Sequence, residues 1–99
     1  GDRNAIKALL QDLLSSNRED LEHLIRLHRD GDLVGLANLV HRVKGGGRII
    51  KARWLLHACE CLEQACRDSA PAQRIDPLVD DLRQAIDALT RRLERYCRS

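Results

Sequence analysis

The sequence predicts an all-α domain: an antiparallel up-down four-helix bundle with an additional short N-terminal helix. Three observations predict it. Apolar residues recur at spacings of three and four along almost the whole chain, the pattern of helices with one buried face. Aromatic residues are nearly absent, with one Trp, one Tyr and no Phe, where a β-sandwich wants many more. The prolines, Pro71 and Pro77, fall in one short stretch and leave long runs free for helices.

The elements follow in order. Ile6, Leu9, Leu10, Leu13 and Leu14 form the first stripe and predict a helix near residues 3–15. Ser16 and Glu19 are three apart like a capping box. They open a second helix near 17–29, with Leu21, Leu24, Ile25 and Leu27. Gly31 stops that run and Asp32 offers a fresh N-cap. The third helix begins at Leu33 and reaches about Ile50. A fourth, near 53–68, carries Leu55, Leu56, Cys59, Leu62, Ala65 and Cys66. Residues 69–73 read as a loop around Pro71. Asp76 and Pro77 then give an N-cap and a first-turn proline for the last helix, near 77–97, with Leu78, Leu82, Ala85, Ile86, Leu89 and Leu93. The expected core is Leu24, Leu27, Leu36, Val40, Val43, Leu55, Cys59, Leu62, Leu82, Ile86 and Leu89.

Ninety-nine residues make one domain, residues 1–99, with room for a single core. Seventeen basic against fifteen acidic residues leave a net charge of +2, so no global field draws the chain to nucleic acid or anionic lipid. No apolar run is long enough to span a bilayer. No secretory signal opens the chain, and Gly1-Asp2 reads as the start of a piece of something larger. Cys59, Cys61 and Cys66 crowd one helical segment, unlike the spacing of a secreted disulfide scaffold, and a reduced cytoplasmic setting is expected.

One segment departs from good helix chemistry. Gly45, Gly46 and Gly47 follow one another, and each glycine inside a helix costs about 1 kcal/mol relative to alanine. Even so, Leu33, Leu36, Val40, Val43, Gly47 and Ile50 hold helical register across them, so the helix is expected to continue. On a wheel these residues and Ala37 gather on the buried side. His41 falls opposite, beside Val34, Asn38, Gly45 and Arg48, with Lys44 one turn on at the border. That places an exposed imidazole next to a bare glycine and a cation, as a nucleophile meeting a phosphoryl group requires. Gly47, on the inward side, would let a neighbouring helix pack closely. From chemistry alone an exposed helix histidine reads equally as an ordinary surface residue, and both readings stay open at this point.

His41-Arg42-Val43-Lys44-Gly45 resembles the signature of histidine-containing phosphotransfer (HPt) domains: His, any residue, an apolar residue, Lys, Gly. Asp30-Gly31-Asp32 falls where that family has a short acidic turn. Leu55, Cys59, Leu62-Glu63 and Arg67 are similar to its next helix. The run from Lys44 to Ala52 resembles the C-terminal HPt domains of BvgS- and EvgS-like unorthodox hybrid sensor kinases. There is one departure: many members carry a glycine where this chain has Lys51, followed by an apolar or small residue, here Ala52.

The resemblance implies a five-helix domain containing a four-helix bundle, with no kinase activity of its own. It implies a phosphorelay carrier that accepts a phosphoryl group on His41 from a receiver-domain aspartate and passes it to the aspartate of a response regulator. Lys44 would compensate the phosphate charge. Val34, Ala37, Asn38, Gly45 and Arg48 would form the docking surface. The domain would bind no cofactor or metal, the Mg²⁺ sitting on the receiver partner. It would act as a monomer in the cytoplasm, without contact to nucleic acid or membrane, free or as the cytoplasmic tail of an inner-membrane sensor kinase.

Three other readings compete. His57, Cys59, Cys61 and Cys66 hint at zinc, but His57 and Cys61 share one helix face and Cys59 and Cys66 another, so four ligands do not converge. Arg91, Arg92, Arg95 and Arg98 suggest DNA binding, yet cations are favoured in the last turn of a helix anyway. A non-catalytic helical dimerisation module is the third. His23 and His28 read as surface or boundary residues.

Overall fold

The computed structural model of the chain describes residues 2–98. It contains α1 (Asp2–Asp30), α2 (Leu33–Ile49), α3 (Arg53–Arg67) and α4 (Ala72–Arg98), and no strand among the described residues. The helices are joined through residues 31–32, 50–52 and 68–71, so neighbours run antiparallel. Each helix packs on two others: α1 and α3 both contact α2 and α4. The all-α four-helix bundle expected from the sequence is the observed architecture.

The additional N-terminal helix is not a separate element. It is the first half of α1, which runs unbroken through Ser15, Ser16 and Asn17. Ser16 and Glu19 therefore do not cap a helix. No glycine or proline interrupts this region, and the inward stripe runs on from Leu10, Leu13 and Leu14 through Asn17 to Asp20, Leu21 and Leu24. Asn17 takes an inward position, its amide nitrogen buried with no hydrogen-bond partner. Asp20 is buried too and is paired with Arg42 of α2. Polar side chains interrupt the apolar stripe here without interrupting the helix.

The last helix also starts earlier than its sequence suggested, at Ala72 and not at Pro77. The Pro71 carbonyl accepts from the backbone N–H groups of Arg74 and Ile75 and opens the helix. Buried Ile75 anchors this first turn in line with Val79 and Leu82. Pro77 sacrifices one backbone hydrogen bond close to the N-terminus, which this anchoring offsets.

Helices α1, α2 and α3 end the same way. In each, a residue two or three places past the helix donates back to a carbonyl five residues earlier: Asp32 to Leu27, Ala52 to Gly47, Ala70 to Ala65. The residue before it has positive φ, at Gly31 (67°), Lys51 (56°) and Ser69 (48°). This is the Schellman arrangement, whose left-handed residue is by preference glycine. It explains why a glycine suits the position of Lys51.

Glycines do their packing at other positions. A Cβ on Gly35 would lie 2.5 Å from the Leu27 methyl and 2.6 Å from the Asp32 carboxylate, which also caps α2 by accepting from the Gly35 N–H at 2.9 Å. A Cβ on Gly47 would meet Leu56 at 3.2 Å and Leu55 at 3.3 Å, so Gly47 lets α3 approach α2 as expected. Around Gly45 and Gly46 there is open space.

The core holds Leu24, Leu36, Val40, Leu55, Cys59, Leu62, Leu82 and Ile86 fully buried. Of the expected core only Leu27 is half-buried, and Leu39, which the wheel did not single out, is buried. At about 1.5 Å per residue, α1 and α4 are far longer than α2 and α3. Their ends lie beyond the cover of the shorter pair, and Ile6, Leu9 and Tyr96 are left exposed there. No helix among the described residues is long and apolar enough to cross a membrane.

Two outcomes are expected. A left-handed backbone costs a residue with a side chain roughly 1 kcal/mol, so Lys51→Gly should raise stability by about 0.5–1 kcal/mol. Urea unfolding would show this as a higher midpoint at unchanged slope; a lower midpoint would mean that the lysine side chain itself stabilises the turn. The second concerns Cys59, whose thiol burial pushes up from 9.0 to about 12 despite the nearby Lys44 ammonium. The folded chain keeps this proton while the unfolded chain releases it above pH 9, so the contribution is whole below pH 9 and fades toward pH 12. At pH 8 a thiol reagent should label half-buried Cys61 and Cys97 in the native chain and reach Cys59 only on unfolding; rapid native labelling of Cys59 would contradict its burial.

Candidate phosphoacceptor site on helix α2

His41 stands on the outer ridge of α2, exposed, with no hydrogen bond or ion pair among the described residues. It faces outward because Leu36, Leu39, Val40, Val43 and Gly47 of the same helix are buried inward, and a 3.6-residue period leaves residue 41 opposite them. The glycines do not end the helix, which carries on to Ile49.

The other outward residues expected at the site share the ridge. Val34 (74% exposed), Asn38, Gly45 and Arg48 are open to solvent, and Ala37 is half-buried at their edge. These positions lie three, four and seven residues from His41 and so flank it on successive turns. The ridge is apolar at Val34, small at Ala37 and Gly45, and cationic at Arg48.

The two charged neighbours of His41 turn away from it, to opposite sides. Arg42 reaches back to Asp20 on α1. Lys44 reaches across to α3, where its ammonium donates to Glu63 Oε1 at 3.2 Å with its side chain only 15% exposed. Sequence reasoning placed Lys44 beside His41 as a ready counter-charge; in the structure that cation already has a carboxylate. Arg67 donates to the same Glu63 oxygen at 3.2 Å, so one inward-set carboxylate holds two cations. Neither the Glu63 pairing nor the Asp20–Arg42 pair was read from the sequence. A signal for the first existed: Glu63 follows Leu62 and lies four residues after Cys59 and three before Cys66, within the buried stripe of α3. A carboxylate there needs a cation from a facing helix.

The remaining histidines lie elsewhere. His23 is exposed on α1. His28, half-buried, meets Asp76 at 2.7 Å and ties the end of α1 to the first turns of α4. His57 Nε2 lies 3.6 Å from Cys61 Sγ, one turn apart on α3. All four cysteines are free, and Cys59 and Cys66 are buried among apolar side chains. Among the described residues no group of three or more His, Cys, Asp or Glu side chains is placed to hold a metal ion. In the C-terminal arginine cluster, Arg91 pairs with Asp87 and Arg98 with Glu94 on their own helix.

The family model described as Hpt domain matches residues 8–95. The chain is 30% identical over 96 residues to the virulence sensor protein BvgS of Bordetella bronchiseptica, and equally so to those of Bordetella parapertussis and Bordetella pertussis. Each alignment takes in 96% of this chain and 8% of the relative, so the chain spans about a twelfth of the length of those proteins. No solved structure matches. The family model over nearly the whole chain, with relatives 30% identical over 96 residues, supports a role in phosphotransfer in two-component signalling: the chain belongs to the Hpt domain family.

Proposed function

We propose that this domain is a phosphorelay carrier: His41 accepts a phosphoryl group from the aspartyl phosphate of a receiver domain and passes it to the aspartate of a response regulator. The observation that carries this reading is the bare imidazole of His41 at the centre of an exposed ridge, with open space at Gly45 one turn along. In the transfer, the lone pair of one ring nitrogen forms the N–P bond while the acyl O–P bond breaks. The electron pair leaves on the aspartate carboxylate, and the second ring nitrogen keeps its proton. The reverse sequence delivers the group to the next aspartate.

Such an in-line displacement asks this domain for position and charge compensation and for little else. The Mg²⁺ and the acidic pocket belong to the receiver, and this domain supplies no kinase chemistry. Lys44 is the charge compensator on this reading, aided by Arg48. Val34, Ala37, Asn38, Gly45 and Arg48 form the docking surface, an apolar and small centre with a basic edge that suits an apolar patch beside an acidic pocket. The domain works as a monomer in the cytoplasm, where phosphorylated receivers are found.

The central test is phosphotransfer from a phosphorylated receiver to the chain, read as an acid-labile, alkali-stable label. His41→Gln should remove the label entirely, while His23→Gln, His28→Gln and His57→Gln should keep it. Label retained in His41→Gln would remove the reading. Lys44→Ala should slow acceptance by roughly three- to tenfold without abolishing it, the worth of about one charge-assisted contact. For docking, a Cβ at residue 45 would meet nothing within 4 Å, so Gly45→Leu should leave helicity intact apart from a slight propensity gain while obstructing transfer. Transfer at the wild-type rate in that variant would show that the receiver docks elsewhere.

A further inference from the structure

We propose that Glu63 is a positioning residue that withholds Lys44 from the phosphoryl position in the resting domain and releases it when His41 is phosphorylated, Arg67 keeping the carboxylate paired throughout. The inference rests on the carrier reading of His41. Its ground is the three-membered cluster between α2 and α3. The Glu63 side chain is 12% exposed, and Lys44 and Arg67 both donate to its Oε1 at 3.2 Å.

A carboxylate this far from water is held only at high cost without a cation. With Lys44 as its single partner, Glu63 would keep it. Arg67 changes that: its side chain is 64% exposed, it sits one turn along the same helix, and it bonds the same oxygen. When Lys44 leaves, that oxygen retains a charged donor. Lys44 is the partner suited to leave, a compact charge on a flexible four-carbon stem whose three donors rotate freely.

The place it moves to is near. Lys44 follows His41 by three residues, so the two side chains are neighbours on the helix surface. A phosphoryl group on His41 brings close to two negative charges, against one on Glu63 that is shared with Arg67. The balance of attraction on Lys44 then shifts from Glu63 to the phosphohistidine. No covalent bond changes in the exchange; one ion pair replaces another.

The functional consequence is a limit on how tightly the domain holds its cargo. A carrier between two aspartates must not sink the phosphoryl group in a deep well. Taking Lys44 from Glu63 opposes the stabilisation that Lys44 gives the phosphohistidine, and so keeps transfer reversible. Glu63 thereby sets the phosphoryl-holding strength of His41 without touching it.

The experiment compares four chains: wild type, Glu63→Gln, Lys44→Ala and the double variant, each loaded from a phosphorylated receiver domain. Two quantities are read: the equilibrium share of label on His41 and the lifetime of the phosphohistidine after the receiver is removed. Glu63→Gln frees Lys44 and should raise both about threefold, the size of a partly screened ion pair. In the Lys44→Ala background the same substitution should change neither. A merely structural Glu63 would lower the thermal midpoint and move the label by the same factor in both backgrounds, and that result overturns the proposal, as does no change in either. If Glu63→Gln does not fold, Glu63→Asp, which draws the carboxylate back from Lys44, should act in the same direction. A readout without phosphate separates this inference from the carrier reading. The ¹⁵Nζ resonance of Lys44 in the unphosphorylated chain should shift on Glu63→Gln. Failure to shift overturns the role of Glu63 while leaving His41 as carrier, whereas absence of label in the wild type overturns the carrier reading itself.

Discussion

The inward stripe of α2 is the constraint on which the rest of this domain depends. Leu36, Val40, Val43 and Gly47 are packed inward against the other helices, and a rigid helix leaves its opposite ridge no choice of orientation. Burial of each large apolar side chain is worth roughly 1.5–3 kcal/mol, far more than the helix propensity lost at any one glycine. The rotation of α2 about its axis is therefore set from within. His41, Gly45 and Arg48 face outward because rotating them inward would expose the stripe. A side chain on such a ridge needs no loop or lid to present it, and its position is as firm as the core beneath.

Glycine serves two opposite purposes within three consecutive residues of that helix. Gly47 is buried where Leu55 and Leu56 of α3 come within van der Waals reach of the missing Cβ, so its absence permits helix contact. Gly45 faces open space, so its absence answers nothing inside the fold and leaves a bare surface beside His41. The packing need at Gly35 is sharper than at either, since the end of α1 and the cap of α2 both crowd it. The same residue type thus marks a close turn, a close helix pair and an open surface, and only the neighbours distinguish them.

Charge pairs bind α2 to its neighbours on both sides of the ridge. Asp20 with Arg42 ties it to α1, and Glu63 with Lys44 ties it to α3. Buried ion pairs add little net stability, because desolvation offsets the attraction, but breaking one leaves an unpaired charge and is expensive. Their effect here is one of register: they penalise sliding or rotation of α2 that the apolar stripe alone would tolerate. Burial also shapes the chemistry nearby, holding the Cys59 thiol protonated far above its ordinary range and so inert beside a cation.

The sequence by itself determined the fold class, the inward and outward faces of α2, the continuation of that helix through three glycines and the exposure of His41. Each of these follows from periodicity, which is a local property of the chain and survives without knowledge of its neighbours. The helix ends were less legible. Ser16 and Glu19 look like a cap and Asp76-Pro77 like a start, yet α1 runs through the first and α4 begins ahead of the second. In both places an inward stripe shared with other helices outweighs the local preference. Which charged residues meet across the bundle was less legible still, although Glu63 within the buried stripe of α3 signals the need for a cation. That Lys44 meets Glu63 and that Arg42 meets Asp20 depend on which helix faces which, at what height. Those distances arise only when the four helices pack, because a salt bridge between residues 19 or 22 positions apart is a property of the bundle and not of any segment of its sequence.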